Sequence, residues 1–142
     1  MLLRIAKTRL QRMHLMKPRF SFIAAALVSL LTPSLAFAHP KLLSANPAAN
    51  AAVAPTRTVT LTFSEGLTPR LSSATLVMTG MPGMNDHPEM PMQGVTSALS
   101  RDGKSLVLTS TRPLPAGTYR VDYVIVGGDT HRITGKHNFS IR

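Results

Sequence analysis

Hydrophobic residues alternate with polar ones along three segments of the chain, and this period of two is typical of half-buried β-strands. The alternating apolar positions are Val59, Leu61 and Phe63; Leu106 and Leu108; and Tyr119, Val121, Tyr123 and Ile125. Turn residues separate these segments, and Asp102-Gly103 between two apolar runs is the strongest hairpin signal. No helical stripe stands out beyond residue 39. The pattern predicts an all-β sandwich or small barrel of about seven strands.

The first part of the chain has a different pattern. A basic stretch, an apolar run at residues 20–31 and a small-x-small pattern at residues 36–38 follow one another, as in a secretory signal peptide. We expect residues 1–38 to be removed by cleavage after Ala38, which makes His39 the mature N-terminus. An uncleaved anchor is the alternative, but the apolar run is well short of the ~20 residues that a spanning helix needs. No Arg-Arg pair precedes the run, so we expect export to the periplasm by the general secretory route, without stable membrane insertion after cleavage.

The net charge of +10 is concentrated in that first segment. Six of the sixteen basic residues and none of the six acidic ones lie in residues 1–38, which leaves +4 for residues 39–142. A small, scattered charge of this kind does not favour a nucleic-acid partner. The chain has no cysteine, which excludes disulfides, zinc–thiolate sites, cysteine nucleophiles and blue-copper centres.

Methionine is concentrated in residues 78–92, where proline, glycine and asparagine favour a surface loop. The methionines are Met78, Met81, Met84, Met90 and Met92, and His87 falls on the same three-residue rhythm. Thioether sulfur is soft and uncharged, so several such groups with one imidazole suit Cu(I). We therefore predict a Cu(I) site in this segment. The alternative is an irregular or partner-binding loop, because methionine also fills gaps in cores.

A second candidate metal site involves the expected mature N-terminus. His39 would offer its α-amine and its imidazole to one metal ion, a chelate that Cu(II) favours in tetragonal N/O geometry. Pro40 has no backbone N–H, so successive amide nitrogens cannot complete the site. Asp129 and His131 follow two glycines at i and i+2, and their side chains would point the same way in an extended segment. These residues predict a Cu(II) site with nitrogen and oxygen ligands.

We expect a structural role for His137, the remaining histidine of the mature chain. His137 shares strand parity with Phe139 and Ile141, so we expect it to be half-buried in the sheet. No Ser/His/Asp arrangement, carboxylate pair or phosphate-binding loop stands out in residues 39–142. We therefore do not expect an enzyme.

Residues 39–142 resemble the CopC-type periplasmic copper-resistance proteins along essentially their whole length. The matching segments are His39-Pro40-Lys41-Leu42, Ser44-Ala45-Asn46-Pro47-Ala48, Leu61-Thr62-Phe63-Ser64-Glu65, the methionine-rich residues 78–90, Pro115-Ala116-Gly117-Thr118-Tyr119 and Gly128-Asp129-Thr130-His131. The methionine-rich segment and the Asp-x-His with an N-terminal histidine are specific, whereas the strand residues alone would not be.

The resemblance implies a small Greek-key β-barrel or sandwich, cupredoxin-like or immunoglobulin-like, that carries or buffers copper for copper resistance and homeostasis. By that likeness, His39, Asp129 and His131 would hold Cu(II). His87 with some of Met78, Met81, Met84 and Met90 would hold Cu(I), and Met92 is a further candidate. The family also implies an inner-membrane copper importer or a periplasmic copper oxidase as partner. The methionine spacing departs from the family pattern at Asn85-Asp86, which leaves the choice of Cu(I) ligands open.

Two other functions remain as alternatives. An N-terminal histidine with a second histidine on a β-sandwich is also the copper brace of oxidative polysaccharide-cleaving enzymes. Those sites keep positions open for oxygen, whereas Asp129 would occupy one here. The other alternative is an immunoglobulin-like adhesion or assembly module without metal, which explains the strands but neither cluster of candidate ligands.

Overall fold

The alternating segments form central strands of two packed β-sheets in the structure, a computed structural model that describes residues 39–142. The expected signal peptide, residues 1–38, lies outside the described residues. In chain order the strands are β1 (Leu42–Asn46), β2 (Ala52–Val53), β3 (Thr58–Phe63), β4 (Ser73–Gly80), β5 (Met90–Pro91), β6 (Val95–Leu99), β7 (Ser105–Ser110), β8 (Gly117–Val126) and β9 (Arg132–Ile141).

The all-β prediction is confirmed, and the two sheets form a sandwich rather than a closed barrel. The described chain has nine strands instead of about seven because β2 and β5 have two residues each, too few to show an alternating pattern. The predicted hairpin joins β6 and β7. Gly103 takes a φ of 69° in its turn, and the carboxylate of Asp102 accepts a hydrogen bond from the amide of Lys104 at 3.0 Å.

The strand order is β1-β3-β7-β6 in one sheet and β2-β9-β8-β4-β5 in the other. The two longest strands, β8 and β9, form an antiparallel hairpin that runs from the Gly117–Ile141 pair to the Val126–Arg132 pair. On its other side, β8 pairs with β4, and Thr118 near the start of β8 lies opposite Gly80. The β8–β9 turn and the segment after β4 therefore lie at opposite ends of β8.

The core lies between the sheets and is built from inward-facing strand positions, with Leu67 and Leu114 added from the loops. Its largest fully buried side chains are Tyr119, Phe63, Leu61, Leu76, Leu106, Leu108, Leu114, Ile125, Val59 and Val121. The hydroxyl of Tyr119 donates a hydrogen bond to the carbonyl of Pro115 at 2.7 Å, so this buried polar group has a partner.

His137 is buried on β9, more deeply than its expected half-buried position, and it contacts the chain after β1. Its Nε2 atom lies 2.9 Å from the carbonyl oxygen of Pro47. The structural role predicted for His137 agrees with this contact. Within residues 39–142, no helix has the length and apolar character needed to cross a membrane.

Candidate metal centres

The start of the described chain is held against the β8–β9 turn. Pro40 is buried, and the missing side chain of Gly127 leaves the space that its ring occupies. The next residue is fixed to the end of β3, because the Lys41 amide donates to Oγ of Ser64 and the Ser64 amide donates to the Lys41 carbonyl, each at 2.9 Å. His39 is thereby brought beside the turn.

The turn itself brings Asp129 and His131 together. From the sequence we expect an extended segment here, but the structure has a turn. The amide of Thr130 donates to the carbonyl of Gly127 at 3.2 Å, and Thr130 has a φ of 64°. A positive φ is unusual for a β-branched residue. The His131 amide then donates to Oδ1 of Asp129 at 3.2 Å. A local turn, and not strand periodicity, therefore aligns these two side chains.

Three candidate ligand groups converge at this turn. Oδ2 of Asp129 lies 3.1 Å from Nδ1 of His131 and 3.6 Å from Nε2 of His39. The two imidazole rings are stacked, with centroids 5.0 Å apart. One candidate ligand atom from each of the three residues lies within 4.8 Å of the other two. A single ion of first-row size can bridge groups at these separations after small side-chain adjustments.

The carboxylate of Asp129 is the shielded member of the cluster, with only 10% of its side chain exposed, whereas both imidazoles are exposed. Burial by itself raises the pKa of Asp129, but this effect is outweighed. Hydrogen bonds from the ring and the amide of His131, and the charges of His39 and His131, hold the pKa below its ordinary value. At neutral pH the cluster therefore presents an ionised carboxylate beside two imidazole rings, a set that suits a divalent cation of borderline softness.

The methionine-rich segment is only partly a loop. The prediction of a surface loop from Met78 to Met92 is wrong at its ends, because β4 continues to Gly80 and β5 begins at Met90. Met78 pairs with Met90 across these strands. The side chain of Met78 is in the core, with 2% exposure, and Met92 packs partly buried against it. Met78 occupies an inward position of β4, and Met92 is held beside that strand because its amide donates to the carbonyl of Leu76 at 2.8 Å.

Three of the five methionines remain on the surface. Met81, Met84 and Met90 are exposed, and Met84 is the most open at 59%. Met81 and Met84 share a turn closed by a 3.2 Å hydrogen bond, and both border a groove along the start of β8 and the end of β9. Nδ1 of His87 is buried without a hydrogen-bond partner among the described residues. A buried ring nitrogen without a partner is unfavourable unless something binds it.

The Asp129 cluster and the methionine-rich segment are too far apart to share an ion. The Asp129 cluster follows the end of β8, whereas Gly80 and the methionine turn lie beside Thr118 near its start. β8 has ten residues, and a strand rises about 3.3 Å per residue, so the ends of β8 are roughly 30 Å apart.

Sequence reasoning missed one contact in the methionine-rich segment. Arg120 on β8 forms ion pairs with Glu89 and with Asp122, at 2.6 and 2.8 Å. The Arg120–Asp122 pair has a sequence signal, since the two residues alternate onto the outer face of one strand. Glu89 lies 31 residues away from Arg120, and no pattern in the sequence links them.

Comparison with known proteins decides the family. The model of the CopC domain matches residues 42–142. The chain belongs to the CopC family. The CopC domain of this chain contains all nine strands, Asp129, His131 and the methionine-rich segment, whereas His39 lies three residues before the matched range.

Relatives and solved structures of the CopC family cover most of the chain. Copper resistance protein C of Escherichia coli is 49% identical over 107 residues, which are 75% of this chain and 84% of that protein. Copper resistance protein C of Xanthomonas campestris pv. juglandis is 46% identical over 122 residues, 84% of this chain and 90% of that protein. The crystal structure of PcoC, a methionine-rich copper resistance protein from Escherichia coli, matches with a TM-score of 0.67 and 47% identity, covering 74% of this chain and all of PcoC.

Proposed function

We propose that this protein is an exported copper carrier or buffer with two sites of different oxidation-state preference. The observation that carries the proposal is the convergence of His39, Asp129 and His131, whose ligand atoms lie within 4.8 Å of one another. Relatives named copper resistance proteins support copper as the cargo. The protein would serve copper resistance and homeostasis by holding copper and passing it on, without transforming a substrate.

The Cu(II) site consists of the two imidazoles, the carboxylate of Asp129 and the α-amine of His39. Cleavage after Ala38 frees that amine, which completes a set of three nitrogens and one oxygen. The buried Pro40 supports this arrangement because it keeps the mature N-terminus beside the β8–β9 turn. The site thus has few degrees of freedom left to fix when the ion binds.

The Cu(I) site consists of the exposed thioethers of Met81, Met84 and Met90 with the imidazole of His87. The buried ring nitrogen of His87 without a partner supports its inclusion. We leave Met78 out of the proposed ligand set because its side chain is in the core. Met92, half-buried against the core, stays a further candidate. Soft thioethers favour Cu(I), so reduction would release copper from the nitrogen and oxygen ligands and favour its capture here.

The two proposed sites lie near opposite ends of β8, which are roughly 30 Å apart, and this separation constrains the exchange. Copper cannot pass directly from one cluster to the other within a molecule. It passes through solution, a small carrier, a second copy or a partner protein. An inner-membrane copper importer or a periplasmic copper oxidase would be such a partner, in keeping with export to the periplasm. Nucleic acid and a stable membrane insertion have no place in this proposal.

Blocking the N-terminal amine tests the proposal. Acetylation of the His39 α-amine turns it into an amide, which is a poor ligand at neutral pH, while both imidazoles and Asp129 are kept. We expect a sharp loss of Cu(II) affinity relative to the authentic N-terminus, and unchanged affinity would show that the amine is not a ligand. The same samples, assayed for peroxide-driven cleavage of polysaccharide, test the copper-brace alternative, and we expect no cleavage.

A further inference from the structure

Arg120 connects the methionine-rich segment to the sheet. Its Nη1 and Nη2 atoms donate to the two carboxylate oxygens of Glu89, at 2.6 and 2.9 Å. This bidentate geometry fixes the orientation of both side chains, which a single contact would not do. Glu89 precedes β5 by one residue and lies between His87 and Met90, two of the proposed Cu(I) ligands.

The guanidinium group of Arg120 is also held by a neighbouring side chain of its own strand. Its Nε donates to Oδ1 of Asp122 at 2.8 Å and its Nη2 donates to Oδ2 at 3.1 Å, and both residues lie on the same face of β8. The side chain of Arg120 is only 18% exposed, whereas that of Glu89 is 56% exposed. The sheet therefore presents a preset donor pair, and the loop carboxylate binds to it.

We propose that Arg120 is a positioning residue for Cu(I) binding: through Glu89 it holds the segment from His87 to Met90 in place before the metal arrives. The inference rests on the proposed Cu(I) site. Ordering a flexible segment on binding opposes affinity, so a segment ordered beforehand binds more tightly. An exposed ion pair contributes little to folding stability. The contact should therefore influence ligand binding more than the fold.

Charge and position predict different outcomes, which makes the inference testable. The variant E89Q removes a negative charge near a cation site, and R120Q removes a positive one. If the ion pair acted only through its charge, E89Q would weaken Cu(I) binding and R120Q would strengthen it. If the ion pair acts by positioning, both variants weaken Cu(I) binding. The double variant then binds Cu(I) about as tightly as each single variant, because one interaction is lost in all three.

The test is a Cu(I) competition titration against a chromophoric chelator, without oxygen, on the exported protein and its E89Q, R120Q and double variants. We expect each variant to lose about three- to tenfold in Cu(I) affinity, as expected for a loop that must now be ordered on binding. R57Q is the matched control, because exposed Arg57 forms no salt bridge among residues 39–142. Cu(II) affinity at the far end of β8 and the melting temperature at neutral pH report whether the fold is intact. We expect Cu(II) affinity to be unchanged and the melting temperature to fall only slightly, as for the loss of one exposed ion pair.

Four results would overturn the inference. Cu(I) affinities of E89Q and R120Q equal to that of the native protein would show that the ion pair does not position the ligands. Opposite changes in the two variants would show an effect of charge alone, and equal losses of Cu(I) and Cu(II) affinity would show a general loss of structure. Failure of the native protein to bind Cu(I) at all would remove the proposed site itself, and the inference with it.

Discussion

Pro40 packs so closely against Gly127 that a Cβ atom on the glycine would lie 2.8 Å from Cγ of the proline ring. This contact holds the expected N-terminal histidine next to Asp129. We predict that G127A displaces Pro40 and lowers Cu(II) affinity on the order of tenfold, as for other changes to residues that orient metal ligands. A Cu(II) competition titration measures the effect. G66A is the control, because a Cβ atom there meets nothing within 4 Å, and an equal loss in both variants would contradict the account.

The exposed and the buried methionines should respond differently to replacement by leucine. We predict that the triple variant M81L/M84L/M90L loses more than about tenfold in Cu(I) affinity. This loss should exceed that caused by changing a residue that only orients ligands, because three proposed ligands are removed. The volume-conserving M78L should keep Cu(I) affinity and cost less than about 1.5 kcal/mol of stability, because Met78 fills the core. Chelator competition and urea unfolding measure the two effects. Loss of Cu(I) binding in M78L, with binding kept in the triple variant, would show that Met78 is a ligand.

Variants of His137 and His131 should have opposite effects on folding stability and on Cu(II) binding. His137 is buried with its Nε2 atom 2.9 Å from the Pro47 carbonyl. We predict that H137A lowers the free energy of unfolding by about 2 kcal/mol, through a cavity and a carbonyl without its partner, and leaves Cu(II) affinity unchanged. H131A, at an exposed position, should do the reverse. Urea unfolding without metal and Cu(II) titration measure both, and a Cu(II) defect in a folded H137A would argue against its structural role.

The Glu89–Arg120 pair predicts part of the acid sensitivity. The hydrogen bond from Arg120, with the charges of Arg120 and Lys136, holds the pKa of Glu89 below its ordinary value of 4.5, despite an opposing effect of burial. As pH falls through that value, the unfolded chain binds the proton first. The stability that Glu89 contributes is therefore complete above the pKa that Glu89 has in the unfolded chain. It is lost as pH falls through the lower pKa that Glu89 has in the folded protein. We predict that E89Q flattens the acid limb of stability measured by urea unfolding between about pH 6 and pH 3. An unchanged limb would contradict the pairing in solution.

The sequence predicted those parts of the fold that repeat a local pattern. β3, β7 and β8 show period-two alternation, and the hairpin at Gly103 has a local turn signal. β2 and β5 have two residues each and depend on partners distant in sequence, so no local pattern indicates them. The methionine rhythm places Met78 in the loop because it continues into β4, where only the inward position distinguishes a core residue from an exposed one.

The candidate Cu(II) cluster was predictable because its residues carry their own signals. A cleavage pattern indicated His39, and the Asp-x-His spacing indicated Asp129 and His131. The sequence did not show how the three meet, because this depends on the left-handed φ of Thr130 and on the packing of the Pro40 ring. The Arg120–Glu89 contact depends on how β8 and the loop after β4 pack, so only the structure identifies it.

An electron paramagnetic resonance titration of Cu(II) into residues 39–142 with a free His39 amine tests the central claim most directly. The account predicts one saturable tetragonal signal with nitrogen couplings, equivalent to one ion per chain, that is lost in H131A and kept in H137A. A spectrum of weakly bound surface copper, unchanged by H131A, would contradict the claim that His39, Asp129 and His131 form a Cu(II) site.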